Sequence, residues 1–362
     1  MSHPNIAIVG ATGAVGREML DILHRRNFPC GRITCLASPR SAGQVIEHAL
    51  GTFTVQAATP ESFKDVQLAL FSAGSGISKS LGPVAAAAGC VVVDNSSAFR
   101  MDPAIPLIVP EVNPHHIPAA WIGTNRAGKS GCILANPNCS TIIMLVAVHP
   151  LYQAFGVERA VISTYQAASG AGAMAMEELR DQTRDVLDGK PAQPKIFKEP
   201  YAFNLFSHNS ALDPVTGLNV EEQKMILESH KIWGEDSVRI TAMCIRVPVL
   251  RAHCESINLT LKRDATVADL HAALAKAPGV TIVDDRANNI FPTPLKASGG
   301  QEVLVGRIRL DPSQTPGGLI ALAAATEAKP ARSRGVELFV SGDQLLKGAA
   351  QNAVQIAELI FR

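Results

Sequence analysis

The sequence predicts an α/β protein of two domains, and three observations predict it. The chain has 362 residues, more than the ~250–300 at which a single hydrophobic core stops growing. Its first third alternates short apolar runs with stretches of helical spacing, the pattern of parallel strands covered by helices on both faces. Near residue 130 the texture changes to longer helices and alternating strands, as in an antiparallel or mixed sheet. The boundaries that follow are a first domain at 1–132, completed by an amphipathic C-terminal helix at 342–362, and a second domain at 133–341.

The apolar run 6–9, the glycine turn 10–16 and the helical spacing of Met19, Leu20, Ile22 and Leu23 read as strand, turn and helix. Residues 32–37, 68–72 and 91–93 make further strands, with an alanine-rich helix at 81–88. Beyond the polar link at 126–131 come a strand at 132–135, an apolar helix at 142–148, a strand at 160–165 and a helix at 173–187. Strands at 238–247, 256–261 and 303–310 complete the second domain, and 190–200 and 327–334 read as surface loops.

Hydrophobic residues make up 47% and charged residues 18%, enough to bury a large core. Lys and Arg number 33 against 32 Asp and Glu, so the net charge of +1 gives no global attraction to nucleic acid or an anionic membrane. Seven cysteines form an odd set with no Cys-x-x-Cys and no Cys/His zinc spacing. They read as reduced thiols of a cytoplasmic protein, and no metal is expected. The first residues carry neither a basic nor an apolar leader segment.

Gly10, Thr12, Gly13, Ala14, Val15 and Gly16 follow a strand and open a helix, the context that a Rossmann-type dinucleotide fingerprint needs. The glycines permit a tight turn and close backbone approach, and the helix N–H groups favour a pyrophosphate. The alternative is a purely structural turn. An NAD enzyme carries an acidic residue after its second strand, yet none occurs from 31 to 46. Ser38, Arg40 and Ser41 stand there instead, suited to a 2′-phosphate, so NADP is expected. A solvated loop arginine is the competing reading.

One cysteine differs from the rest. Cys139 follows Asn136-Pro137-Asn138 at the start of an apolar helix, where unpaired N–H groups and the helix dipole lower a thiol pKa. Cys90 and Cys244 lie in apolar surroundings and read as core. A thiolate nucleophile needs polar partners. Gln166 ends a strand ahead of the small-residue loop 167–172, and His253 follows Arg246 and Arg251 at a strand end. By itself His253 reads as a structural histidine, and only the surrounding pattern favours a functional one.

Together these segments resemble the aspartate-semialdehyde dehydrogenases. The matches are GATGAVG at 10–16, ASPRSAG at 37–43, FSAG at 71–74, DNSSAFR at 94–100, VPEVN at 109–113, NPNCST at 136–141, YQAASGAG at 165–172, EEQKM at 221–225 and IRVPVLRAH at 245–253. The resemblance implies a second domain of the glyceraldehyde-3-phosphate dehydrogenase-like α+β type, buried in a homodimer. It implies Cys139 as nucleophile, Gln166 as the residue orienting the carbonyl, and His253 as acid/base. Arg246 would bind the substrate carboxylate, Glu221 its amino group, and Arg100 with Lys224 the phosphate. Ser72, Ala73, Gly74, Asn95, Ser169 and Gly170 join the cofactor contacts. The implied reaction is reductive dephosphorylation of L-4-aspartyl phosphate to the semialdehyde through a Cys139 thioester. Its product serves lysine, diaminopimelate, threonine, methionine and isoleucine biosynthesis.

Two departures stand out: the polar stretch 123–131 is longer than the family's usual approach to the cysteine, and Gln223 replaces an apolar residue. The alternatives are N-acetyl-γ-glutamyl-phosphate reductase, which differs around the cysteine, and a non-catalytic relative, which would be expected to lose Cys139 or Arg246.

Overall fold

A computed structural model describes residues 3–123 and 130–361. Residues 124–129, the middle of the long polar stretch, lie outside the described residues. In chain order the elements begin β1 (Ile6–Val9), α1 (Ala14–Arg25), β2 (Ile33–Ala37), β3 (Val45–His48), β4 (Gly51–Thr54), β5 (Gln56–Ala57), β6 (Leu68–Phe71), α2 (Ser75–Ala87), β7 (Val91–Asp94) and β8 (Cys132–Ala135). They continue with α3 (Cys139–Phe155), β9 (Val157–Gln166), α4 (Ala173–Leu187), β10 (Phe206–Ser207), α5 (Val220–Trp233), β11 (Arg239–Arg246) and β12 (His253–Ala265). The last are α6 (Val267–Leu274), β13 (Val280–Ile282), α7 (Pro294–Ala297), β14 (Val303–Leu310), α8 (Gly318–Ala323), β15 (Ser333–Gly342) and α9 (Gln351–Phe361). Two compact units result, Met1–Cys139 with Leu345–Arg362, and Ser140–Gln344.

The first unit holds a six-stranded sheet in the order β5-β2-β1-β6-β7-β8, parallel throughout. Strands β1, β6 and β7 are buried at every position, because helices cover both faces. On one face Met19, Leu20, Ile22 and Leu23 of α1 pack with Val354, Ile356 and Ile360 of α9. Burying each such side chain stabilises by roughly 1.5–3 kcal/mol. Arg26 clamps the two helices by donating to both carboxylate oxygens of Glu358, at 2.9 and 2.6 Å. On the other face Leu81 and Ala85 of α2 cover Val92, Phe71 and Ala7.

The second unit is a seven-stranded mixed sheet, β10-β11-β9-β12-β15-β14-β13, with β9–β11 and β13–β14 parallel. Along β9 the residues Ala160, Ile162, Thr164 and Gln166 are buried while those between them are more exposed, the two-residue period of a sheet with one covered face. Helix α3 is buried almost all round and lies on that covered face: Ile143 packs so closely on Gly342 that a Cβ there would meet it at 2.9 Å.

Three expectations need correction. The helix expected at 81–88 begins at Ser75, because Gly74 at φ +83 turns the chain into a polar first turn without an apolar signal. The helix expected from 342 begins only after a strand. Gly342 ends β15, a turn of π-helix occupies Leu346–Ala350, and α9 starts at Gln351. Strand β15 itself takes up Ser333 and Arg334, read from sequence as loop. Among the described residues no helix is long and apolar enough to cross a membrane.

Candidate active site

In the first unit the strand order reverses at β1, with β2 on one side and β6 on the other. Ligands of open α/β sheets bind outside the carboxyl ends of the strands at such a switch point. Gly10 follows β1, Ser38 follows β2, Ser72 to Gly74 follow β6, and Asn95 follows β7, so these expected cofactor residues share one sheet edge. Gly10 has φ +90, and a Cβ on it would meet the Ser72 carbonyl oxygen at 2.5 Å. A Cβ on Gly16 would meet the Gly10 oxygen at 2.2 Å. Both positions require glycine. Helix α1 opens at Gly13 with no side-chain cap and no acidic residue in its first turn, which leaves its N–H groups suited to an anion. Ser38 and Arg40 are exposed.

Cys139 is the first residue of α3 and is partly exposed, whereas Cys35, Cys90, Cys132, Cys244 and Cys254 are buried. Burial pushes the thiols of Cys30, Cys35 and Cys254 up to about 11 and that of Cys90 to about 12, and raises Cys244 further. Those five are inert thiols at neutral pH. Arg100, buried in the same unit, donates from Nε to the Asn136 carbonyl oxygen at 2.9 Å and from Nη2 to the Asn95 carbonyl oxygen at 3.0 Å.

In the second unit β11 ends at Arg246, β9 ends at Gln166, and β12 begins at His253, three neighbouring strand ends at one edge. Arg246 and Gln166 are register partners. All three are buried, His253 completely. Gln166 Nε2 donates to Glu221 Oε1 at 3.2 Å and lies 3.5 Å from His253 Nε2. Lys224, one turn along α5, donates to the other oxygen of Glu221 at 3.1 Å. Helix α5 is set by a capping box between Asn219 and Glu222, and Glu222 also accepts from the Cys244 N–H at 3.0 Å. That second bond fastens the helix to β11.

Arg246 donates to the Ala167 carbonyl at 3.0 Å, to Asn209 at 3.2 Å and to His208 Nε2 at 2.8 Å. Three of its five N–H groups are thus held by the protein, leaving two for a ligand. Gly170 is in contact with this cluster: a Cβ there would come within 3.0 Å of Arg246 and of the His253 ring. Ser169 beside it accepts from Gln344, whose Oε1 in turn accepts from the Ala252 N–H at 2.9 Å.

The backbone N–H of Ala167 donates to His253 Nδ1 at 3.0 Å. A neutral ring in that position carries its proton on Nε2. Burial first, and the Arg246 charge second, hold the His253 imidazole down at about 3, against the opposing pull of Glu221. His208 is likewise held down at about 4, by burial and then Arg246. The ring of His253 is therefore neutral at physiological pH and presents an Nε2–H donor. His208, Asn209 and Gln344 were not expected from sequence. The segment around 208 has no period to read, and Gln344 sits just past a strand end.

The fold and this cluster define a semialdehyde dehydrogenase: residues 5–120 match the family model for the semialdehyde dehydrogenase NAD binding domain, and residues 148–325 the model for its dimerisation domain. The aspartate-semialdehyde dehydrogenase of Synechocystis sp. is 49% identical over 98% of this chain and 96% of its own, and that of Bacillus subtilis 42% over 98% and 96%. The crystal structure of aspartate semialdehyde dehydrogenase II from Vibrio cholerae, complexed with ASA, is 39% identical, covers 99% of this chain and 98% of its own, and superposes with a TM-score of 0.88. The chain belongs to the aspartate-semialdehyde dehydrogenase family.

Proposed function

We propose that this protein interconverts L-4-aspartyl phosphate and L-aspartate 4-semialdehyde through a thioester on Cys139, with NADP(H) as hydride carrier. The observation that carries the reading is the buried cluster at the three strand ends, where a forked cation, an amide, a neutral imidazole and a carboxylate–ammonium pair converge. A substrate with a carboxylate, an ammonium and a phosphoryl group needs three separate recognition points, which the forked cation, the carboxylate and the ammonium of this cluster would supply.

The residues of the first unit fit the cofactor. Glycines at 10 and 16 leave space that a Cβ would fill, and the α1 N-terminus would take the pyrophosphate. Arg40 with Ser38 and Ser41 would take the 2′-phosphate. Bound NADP(H) supplies or takes up a hydride at the substrate carbonyl carbon. In the biosynthetic direction the Cys139 thiolate attacks the acyl phosphate. The carbon–oxygen bond to phosphate breaks with its electron pair leaving on phosphate, and a thioester remains. The oxyanion of the reduced adduct accepts a hydrogen bond from His253 Nε2–H, and Gln166 holds the carbonyl in place. Collapse cleaves the carbon–sulfur bond and returns the thiolate.

Arg246 orients the carboxylate with its two remaining N–H groups, Glu221 pairs with the ammonium, and Arg100 and Lys224 receive phosphate. The other reading of Glu221 and Lys224, a surface ion pair three residues apart, is worth about 0.2–0.5 kcal/mol. Glu221 is 5% exposed and bonded to Gln166, which supports the pocket. Lys224→Ala is expected to raise KM for phosphate roughly tenfold or more, with little change for the semialdehyde, since a charged hydrogen bond contributes about 1.5–3 kcal/mol. Arg246→Lys is expected to do the reverse. Shifts of one and the same KM by both variants refute the division. The family model matched at 148–325 is a dimerisation domain, and Met243 and Tyr165 stand exposed on the uncovered sheet face. Both support a homodimer of this chain.

Purified protein is expected to reduce NADP+ with aspartate semialdehyde and phosphate, and to do so poorly with NAD+ or with N-acetylglutamate semialdehyde. Arg40→Ala is expected to raise KM for NADP+ about tenfold and leave that for NAD+ unchanged. Turnover of the acetylated substrate alone would overturn the substrate assignment, and equal use of both cofactors the NADP assignment.

A further inference from the structure

The ammonium of Lys347 is completely buried in the π-helical turn ahead of α9, a form of helix often found at functional positions. It has three hydrogens and three acceptors: Glu111 Oε2 at 2.5 Å, Asn352 Oδ1 at 2.8 Å and Gln355 Oε1 at 2.7 Å. Gln355 closes the cage by donating to the other oxygen of Glu111 at 2.9 Å. The proposed chemistry uses none of these residues.

An ammonium only donates, so it fixes which way the Asn352 amide faces. With Oδ1 on Lys347, Asn352 Nδ2 donates to Ile108 O at 3.0 Å and to Asn136 Oδ1 at 2.7 Å. That bond in turn fixes the Asn136 amide, whose Nδ2 donates to Asn95 Oδ1 at 2.6 Å and to Ala349 O at 3.4 Å. The chain Lys347, Asn352, Asn136, Asn95 thus runs in one sense, each amide set by the one before it. It ends with the Asn95 amide hydrogens as donors. Asn136 is its pivot, because its carbonyl oxygen accepts from Arg100 and it stands three residues before Cys139.

We propose that Lys347 is a positioning residue: acting through Asn352, it sets the turn at 136–138 that carries Cys139 and anchors Arg100, and it fixes the donor face of Asn95. The proposal rests on Cys139 being the nucleophile. A neutral residue at 347 would leave Asn352, and with it the Asn136 amide, free to turn over, so the turn would lose its fixed geometry while the sheet below it stays intact.

The test uses two variants of the full chain. Glu111→Gln/Lys347→Met removes both buried charges together, which avoids an unpaired Glu111 and keeps the fold. Asn352→Leu cuts the chain one link later at similar volume. In each, kcat is expected to fall at least tenfold with the unfolding midpoint little changed. Alkylation of Cys139 by iodoacetamide in the cofactor-free protein, read by peptide mass spectrometry, is expected to slow at least fivefold at pH 7. Combining both changes should add less than twofold, because one chain is cut twice. Unchanged alkylation and unchanged kcat in both variants overturn the proposal. So does a loss of stability with kcat per folded molecule intact. Full activity of Cys139→Ser would instead overturn the nucleophile assignment, and the alkylation arm separates the two failures.

Discussion

Cys139→Ser is expected to lower kcat by about three orders of magnitude or more, without shifting the unfolding midpoint, since loss of a covalent nucleophile removes the reaction route itself. Position singles this residue out. Helix α3 begins at Cys139 and has no acidic residue in its first turn, so the helix dipole favours a thiolate there. The other thiols that burial raises to about 11 or above cannot compete at neutral pH. A serine hydroxyl stays protonated in the same place. Rapid quench of the wild type with aspartyl phosphate should trap a thioester on the peptide holding residue 139, absent in the variant. More than a tenth of wild-type activity in Cys139→Ser would refute the assignment. Cys90→Ala, in the core of the first unit, should change stability and leave kcat as it is.

Periodicity made the first unit legible. Strands β1, β6 and β7 are short unbroken apolar runs because both their faces are buried, and α1 shows its stripe in four residues. Strand β15 is not legible in the sequence, although Val336, Leu338 and Val340 alternate inward. Phe339 on its other face blurs the alternation, and the apolar residues at 345 and 346 extend a helical pattern backward across Gly342. The site divides along the same line. Gln166, Arg246 and His253 sit at strand ends inside recognisable motifs. His208, Asn209 and Gln344 join them only through sheet register and loop closure, which leave no local pattern. Lys347 did leave one: it is a lone charge in the run Leu345-Leu346-Lys347-Gly348-Ala349-Ala350, and only the acceptors around it say what it is for.

Stability is expected to hold a plateau between about pH 4.3 and 6.5, where two buried groups of opposite behaviour offset each other, and to fall on both sides of it. His253 has a folded value of about 3 against ~6.5 unfolded. Between these values unfolding takes up a proton, so stability rises with pH by about 1.4 kcal/mol per unit and is lost as pH falls from 6.5 toward 3. The half-buried His208, at about 4, adds a smaller contribution of the same sign. Glu255 works the other way. It lies two residues beyond His253 on β12, is completely buried, and neither carboxyl oxygen has a hydrogen-bond partner among the described residues. Burial alone raises its carboxyl well above the ordinary value, so the folded protein holds a proton that the unfolded chain releases above ~4.3. That group costs stability as pH rises, by up to about 1.4 kcal/mol per unit, and above 6.5 nothing from His253 offsets it. Urea unfolding from pH 3.5 to 9 should show the plateau and both limbs. Glu255→Gln keeps the shape and the neutral state, so it is expected to match wild type near pH 4 and to become progressively more stable than wild type toward pH 8. His253→Gln should flatten the acid limb instead. Curves for Glu255→Gln and wild type that run parallel across this range would mean that Glu255 is ionised in the folded protein and that its burial is compensated.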